Sequence, residues 1–289
     1  MTLSIRQIHP HFVGEVCGID LKTADEQALA AIRAGMDRYG VLVLHDQPMT
    51  NEEQLDFSQR FDGVLHTKTS LSVLEKNRFG TNALTDISNV NEKGELLKSD
   101  DRRRVSSLSN RLWHTDASFQ DPPGRYSMLS AKVVPPVSAD TEFADMRSAY
   151  DALDGDTKTL IDGLTVFHSI VYSRHVLGFE FSEEEEAKLP GAVHPLVRTI
   201  PRSERRSLYL ASHASHIVEW PVPEGRALLR DLIEHATQRE FVYRHAWRPN
   251  DFVIWDNRAT MHRGRSFDDK KYPRELRRTT TLDIELAIA

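Results

Sequence analysis

One cysteine in 289 residues, Cys17, has nothing to pair with inside the chain. A disulfide-braced fold is therefore excluded, cysteine pairs for a structural zinc site are missing, and the chain fits a reducing compartment, with cytoplasm as the default. Long apolar runs are missing too. No stretch approaches the roughly 20 residues a membrane-spanning helix needs, and the opening MTLSIRQIHPHF has neither a basic stretch nor a continuous apolar one, so neither export nor a membrane partner is expected. Positive charge is not in excess. The 37 Lys+Arg against 43 Asp+Glu give a net charge of −6 and a pI near 6.1, which argues against a broad phosphate-binding face and so against nucleic acid as a partner. Internal repeats, low-complexity tracts and Pro/Gly/Ser linkers are absent, and a single domain over residues 1–289 is the simplest reading.

What is present fits a globular chain with a real core: 39% hydrophobic, 28% charged and 8% aromatic residues. Thr23-Ala-Asp-Glu26 reads as a capping box, and Leu29, Ile32 and Met36 fall on one face of a helix over roughly 24–38, which Gly40 stops. Val41–Leu44 reads as a short buried strand. Thr50-Asn-Glu-Glu53 repeats the capping signature before a helix carrying Leu55, Phe57 and Phe61. Residues 62–112 hold polar clusters without sustained periodicity and read as a long loop region broken by short strands, of the kind that often covers an active site. Strands are expected at 126–134, 241–243, 252–255 and 279–282. Helices are expected around 146–153, 160–164 and 228–236. The run Glu183–Glu186 reads as a solvated face.

Thirteen histidines are a generous supply, and imidazole is the commonest metal ligand. Trp113-His114-Thr115-Asp116 places an imidazole and a carboxylate at i and i+2, on one side of an extended backbone. Taken alone, that tripeptide equally suits two residues that only hydrogen-bond loops. Far downstream, His262 stands just beyond the buried strand Phe252-Val-Ile-Trp255. Two histidines and one carboxylate make the facial triad of non-haem Fe(II) oxygenases, which leaves three positions open; zinc hydrolases use a related set, but their helical His-Glu-x-x-His spacing is absent. Beyond His262 lie Arg274, Arg277 and Arg278. A guanidinium near a metal can hold a carboxylate through two parallel hydrogen bonds, while the alternative is a solvated strand paired with Glu275 and Asp283. Trp113 and Trp255 read mainly as packing.

Several blocks in order carry a resemblance over nearly the whole chain: Val16-Cys-Gly-Ile-Asp-Leu21, Leu112 to Phe119 (LWHTDASF), Arg125 to Ala131, Asp140-Thr-Glu-Phe143, Asp145 to Leu153, Ala211-Ser-His-Ala-Ser-His216, His235 to His245, Trp255-Asp-Asn-Arg258 and Arg274 to Arg278. The chain resembles the Fe(II)/2-oxoglutarate-dependent dioxygenases of the taurine dioxygenase superfamily, most of all their phenoxyacetate-cleaving members. The resemblance implies an α+β fold with a mainly β core, a double-stranded β-helix or jelly-roll with surrounding helices. It implies that His114, Asp116 and His262 bind Fe(II), that Thr141 and Arg274 hold the distal carboxylate of the co-substrate 2-oxoglutarate, and that Arg278 faces the acidic group of the substrate. Asn110, His213 and His216 match substrate-facing positions. Position 200 departs from the pattern, with Ile200 where a histidine is expected. Asp116 favours hydroxylation, since related halogenases have a small residue there.

The implied reaction uses O₂ to hydroxylate the carbon beside the ether oxygen of a small anionic aromatic acid, 2,4-dichlorophenoxyacetate or its like. The hemiacetal then collapses to a phenol and glyoxylate, with succinate and CO₂ as the other products. Such an enzyme serves herbicide degradation, and relatives commonly form homo-oligomers. The alternatives are a taurine or alkylsulfonate dioxygenase releasing sulfite, a zinc-dependent hydrolase on the same triad, and a non-catalytic sensor of small acids.

Overall fold

A computed structural model of the chain describes residues 3–67 and 78–284, and its first helix, Glu26–Tyr39, begins later than the sequence signature suggests. Asp25, not Thr23, caps it, accepting from the Ala28 amide at 2.8 Å. The reason lies upstream. Asp20 caps a 3-10 turn over Leu21–Thr23, and the Thr23 hydroxyl donates back to the Asp20 carbonyl, so Thr23 is spent before the helix starts. Gly40 ends the helix at φ 71, in the left-handed region where a Cβ is unwelcome. The second signature forms as read: Thr50 and Glu53 exchange hydrogen bonds at the start of the helix Asn51–Asp62. Its buried face carries Phe57 and Phe61 and also Gln54, whose amide bridges the carbonyls of Met128 and Arg277 and accepts from Ser130.

The fold is mixed α+β with a core made mainly of sheet. Among the described residues one sheet orders the strands Ser4–Gln7, Gly14–Cys17, Val41–Leu44, Phe252–Asp256, Gly124–Val133, Glu275–Leu282 and Thr85–Ser88. A second places Thr141–Asp145 between Val242–His245 and Thr260–Gly264. The continuous apolar runs at 41–44 and 252–255 are explained by burial on both faces. Leu42, Leu44, Phe252 and Ile254 pack under the two N-terminal helices. Val41, Val43, Val253 and Trp255 point the other way, into a layer with Leu129, Leu276 and Phe143 that joins the two sheets. That inner layer leads directly to the histidine on the strand Thr260–Gly264.

Residues 62–112, read as loop and short strand, do include the strand Thr85–Ser88, and part of the segment lies outside the described residues. They also form a helix, Arg102–Ser107, capped by Asp101, followed by a 3-10 turn over Leu108–Arg111. Six residues carry too little periodicity to register in sequence. The strong helix near 228–236 runs Val222–Ala236, and Glu183–Glu186 forms one exposed turn. No helix among the described residues is long and apolar enough to cross a membrane.

Candidate metal centre and its two cavities

His114 and His262 are brought together by the backbone, which sets their ring centroids 4.1 Å apart. Each amide donates to the other's carbonyl, at 3.0 and 2.8 Å, in an isolated antiparallel bridge. The chain then turns so that Asp116 faces the same point. His114 Nε2 lies 3.9 Å from one Asp116 oxygen and His262 Nε2 3.7 Å from the other, and the three ligand atoms all fall within 4.8 Å of one another. All three residues are buried.

The donor chemistry fits a divalent cation. His114 Nδ1 is 2.8 Å from the Leu112 carbonyl, which can only accept, so the proton sits on Nδ1 and the Nε2 lone pair is left facing the other two ligands. Burial lowers the pKa of His114 and holds that of His262 well below the usual range, keeping both imidazoles neutral. Burial alone would raise the pKa of Asp116. The charge of the Arg278 guanidinium, with the Ser127 hydroxyl, outweighs it and holds the carboxylate below its usual range. His262 is also framed by the inner layer, with its ring centroid 4.6 Å from Trp255 and 6.0 Å from Phe143.

Asn257 ties the cluster to the sheet. Its carbonyl accepts from the Asp116 amide at 3.0 Å and from the Trp255 indole at 3.1 Å, while its amide reaches Ser127 Oγ, which donates to Asp116 at 2.7 Å. The neighbouring Asp256 and Arg258 form a buried ion pair at 2.7 Å. Gly124 completes the fit. A Cβ there would stand 2.9 Å from the Asp116 carbonyl oxygen.

Two cavities open beside the ligands. The larger, about 120 Å³, is lined by His114, His262, Leu129, Thr141, Trp255 and Arg274, among others. The smaller, about 50 Å³, is lined by His114, Asp116, Phe119, Arg174 and His213, among others. Asn110, His114 and Arg278 border both. Arg274, just before the strand Glu275–Leu282, and Arg278 on it both line the larger cavity. Arg277 points the opposite way, pairing with Glu275 at 2.7 Å and lying over the Phe79 ring. The arginine cluster is thus divided: one member is structural and two face the site.

Arg274 has no carboxylate within ion-pair distance among the described residues, and burial pushes its pKa down to about 10. Its backbone is fixed by the Asn89 side chain at 2.8 Å. Arg278 donates to Asp116 in a short contact. His213 is buried between Ser118 Oγ (3.1 Å) and Arg174 (3.3 Å), with its pKa held well below the usual range, first by burial and then by the Arg174 charge. His216 is not brought to the site. It lines neither cavity; its ring lies against Phe167, 5.4 Å away, and its Nδ1 meets Ser215. Ile200 is buried in the core and also lines neither cavity.

Sequence reasoning missed Arg174, Asn257, Ser127 and Trp247. Arg174 sits in the six-residue helix Ile170–His175 with its pKa pushed down to about 9 by burial. Nothing in Tyr-Ser-Arg-His separates a buried arginine from a solvated one. Trp247 donates to Thr141 Oγ1 at 2.9 Å from irregular backbone that no periodicity marks.

The family described as Taurine catabolism dioxygenase TauD, TfdA family matches residues 4–280. The chain is 46% identical over 285 residues to an alpha-ketoglutarate-dependent 2,4-dichlorophenoxyacetate dioxygenase of Cupriavidus pinatubonensis, covering 98% of this chain and 99% of that one. It is 34% identical over 266 residues to an (S)-phenoxypropionate/alpha-ketoglutarate-dioxygenase of Sphingobium herbicidovorans, covering 89% and 87%. Among solved structures, AAD-2 in complex with Mn(II) and N-oxalylglycine superposes with a TM-score of 0.93 at 46% identity, covering 98% of both chains.

Proposed function

The chain belongs to the taurine catabolism dioxygenase (TauD, TfdA) family and is a 2-oxoglutarate-dependent dioxygenase, and from that premise we propose that it cleaves aryloxyacetates of the 2,4-dichlorophenoxyacetate type. The observation that carries this reading is the pair of arginines facing two cavities that meet at one His-Asp-His cluster. Two anions, a keto diacid and a carboxylic acid substrate, each need one guanidinium within reach of the same ion.

His114, Asp116 and His262 would hold Fe(II) through the three ligand atoms that lie within 4.8 Å of one another. With 2-oxoglutarate and O₂ bound, the iron supplies the oxidising power, and succinate and CO₂ are the co-products. Thr141 and Arg274 hold the distal carboxylate of 2-oxoglutarate: the guanidinium supplies the fork and the hydroxyl a further donor. Arg278 orients the substrate acid across the metal ligands, and Asn110 and His213 line its path. Hydroxylation at the carbon beside the ether oxygen gives a hemiacetal that breaks down to a phenol and glyoxylate without further catalytic groups. His216 receives no contact role, because it lies off both cavities. The two sheets that meet at His262 correspond on this reading to a jelly-roll, and residues 1–289 act as one catalytic unit in a cytoplasmic homo-oligomer.

The test is product analysis. Protein with Fe(II), 2-oxoglutarate and O₂ is given 2,4-dichlorophenoxyacetate or taurine. Succinate with equimolar phenol and glyoxylate from the first, and no sulfite from the second, is expected. Sulfite release from taurine at the greater rate would reverse the substrate assignment, and turnover without O₂ would point to hydrolysis.

A further inference from the structure

Thr141 lines the larger cavity together with Arg274, and its hydroxyl is already engaged on one side. Trp247 Nε1 stands 2.9 Å from Thr141 Oγ1, and both residues are buried. An indole N–H can only donate, so Thr141 is the acceptor in this pair. Its own hydrogen must point elsewhere, and among the described residues no other hydrogen bond of this hydroxyl is present. A threonine hydroxyl left alone is a rotor that can present either a hydrogen or a lone pair to a ligand. With one lone pair taken by Trp247, it is biased toward presenting the hydrogen.

We propose that Trp247 is a positioning residue for the co-substrate: by donating to Thr141 Oγ1 it commits the Thr141 hydroxyl to donate into the cavity, toward a carboxylate held by Arg274. This rests on the reading of Thr141 and Arg274 given above and deepens it.

Trp247 is itself braced from behind. It lies two residues beyond the strand Val242–His245, where sheet pairing no longer fixes the backbone. Its ring stands edge-on to His245, with centroids 4.5 Å apart at 89°. One oxygen of Asp251 takes His245 Nε2 at 3.0 Å and the Arg248 amide at 2.8 Å, and the other takes His45 Nδ1 at 2.6 Å. Asp251 is fully buried, whereas His45 reaches outward to Glu15 at 3.4 Å. His245 is also the cross-strand partner of Thr141. Sheet register and the Asp251 clasp therefore converge on the same pair, which fixes the donor and the acceptor relative to each other.

The test is a double-mutant cycle read by calorimetric titration of anaerobic, Mn(II)-loaded protein with 2-oxoglutarate. Trp247→Phe keeps a ring against His245 and removes only the N–H. Its Kd should rise about 5- to 12-fold, the worth of one neutral hydrogen bond, with kcat at saturating 2-oxoglutarate and the substrate KM within about twofold of wild type. Thr141→Val should weaken binding at least as much, and adding Trp247→Phe to Thr141→Val should change nothing further. A wild-type Kd for Trp247→Phe, or full additivity in the double variant, overturns the proposal while leaving the role of Thr141 intact. An unchanged Kd for Thr141→Val defeats the underlying reading as well. Should Trp247→Phe fail to fold, Trp247→Met, which also lacks the N–H, takes its place in the same cycle.

Discussion

The two cavities beside the metal ligands are built from different material. The larger takes part of its wall from strand residues, Leu129, Thr141, Trp255 and His262 among them, whose positions follow from sheet register, and the rest from the segments around Ser107 to Arg111 and Arg265 to Asp269. The smaller takes more of its wall from Arg174 on a six-residue helix and from Phe119 and His213 on turns, beside strand residues such as Thr280. On the proposed assignment the co-substrate, required in every turnover, meets the side with the larger share of strand residues. On the same assignment the substrate meets more of the short segments, which can vary without moving a strand.

The severest way to break this contrast is to remove what both sides share. Asp116→Ala should lower Mn(II) affinity by more than about 100-fold, since it deletes a charged ligand and leaves Arg278 without its carboxylate. Turnover should fall to background, and wild-type metal binding would dissolve the centre altogether. Next come the two arginines. Arg274→Ala should raise the Kd for 2-oxoglutarate about 100-fold with little change in substrate KM, and Arg278→Ala should do the opposite, as expected for losing one charge-assisted clamp. Equal effects of each variant on both constants would erase the distinction between the sides.

Smaller changes sharpen it. Gly124→Ala would set a methyl 2.9 Å from the Asp116 carbonyl and 3.0 Å from Thr280 Cγ2. It should cost about 1–3 kcal/mol in urea denaturation and shift the substrate KM more than the co-substrate Kd, because it displaces the Asp116 wall. His168 lies behind His213, whose carbonyl accepts from the Ser169 amide at 2.8 Å. Burial, then the charges of His194 and Arg198, push its pKa down to about 3. The unfolded chain thus binds a proton below about pH 6.5 that the folded one refuses, so stability falls as pH drops from there toward 3, by up to about 1.4 kcal/mol per pH unit for this one group. His168→Phe should flatten the difference between urea midpoints at pH 7.5 and 5.5. An unaltered pH slope would show that the histidine titrates freely. Least of all, Thr50→Ala should cost about 1 kcal/mol of stability by undoing a remote cap, with neither binding constant moved.

How much of this was legible in sequence follows the same division. Strands buried on both faces announce themselves as apolar runs, so Val41–Leu44 and Phe252–Trp255 were readable, and with them the place of His262. The spacing of Arg274 and Arg278 survives folding because the backbone leading into the strand Glu275–Leu282 is already paired, the Arg274 carbonyl accepting from the Asn89 amide, and extended backbone keeps i and i+4 on one face. The capping box at Thr50 held, whereas Thr23 lost to Asp25 through competition from the turn that Asp20 starts. Gln54 replaced Leu55 on the buried helix face because sheet carbonyls there needed a donor, a demand set by distant chain. Arg174, His213 and Ser118 were not legible as a group, since tertiary packing alone brings them to one wall. The iron ligands could be named from the resemblance, but the Asn257 hub that aligns Asp116 emerges only from coordinates.

The reciprocal amide-carbonyl exchange between His114 and His262 has a thermodynamic consequence. Closing the long loop that separates two ligands normally sets much of the cost of assembling a metal site, and in zinc fingers that cost is met only when the ion arrives. Here a pair of backbone hydrogen bonds contributes to that closure independently of the imidazoles. If sheet pairing carries the closure, a chelator should strip the cation and leave a folded apoprotein, ready for reloading without refolding.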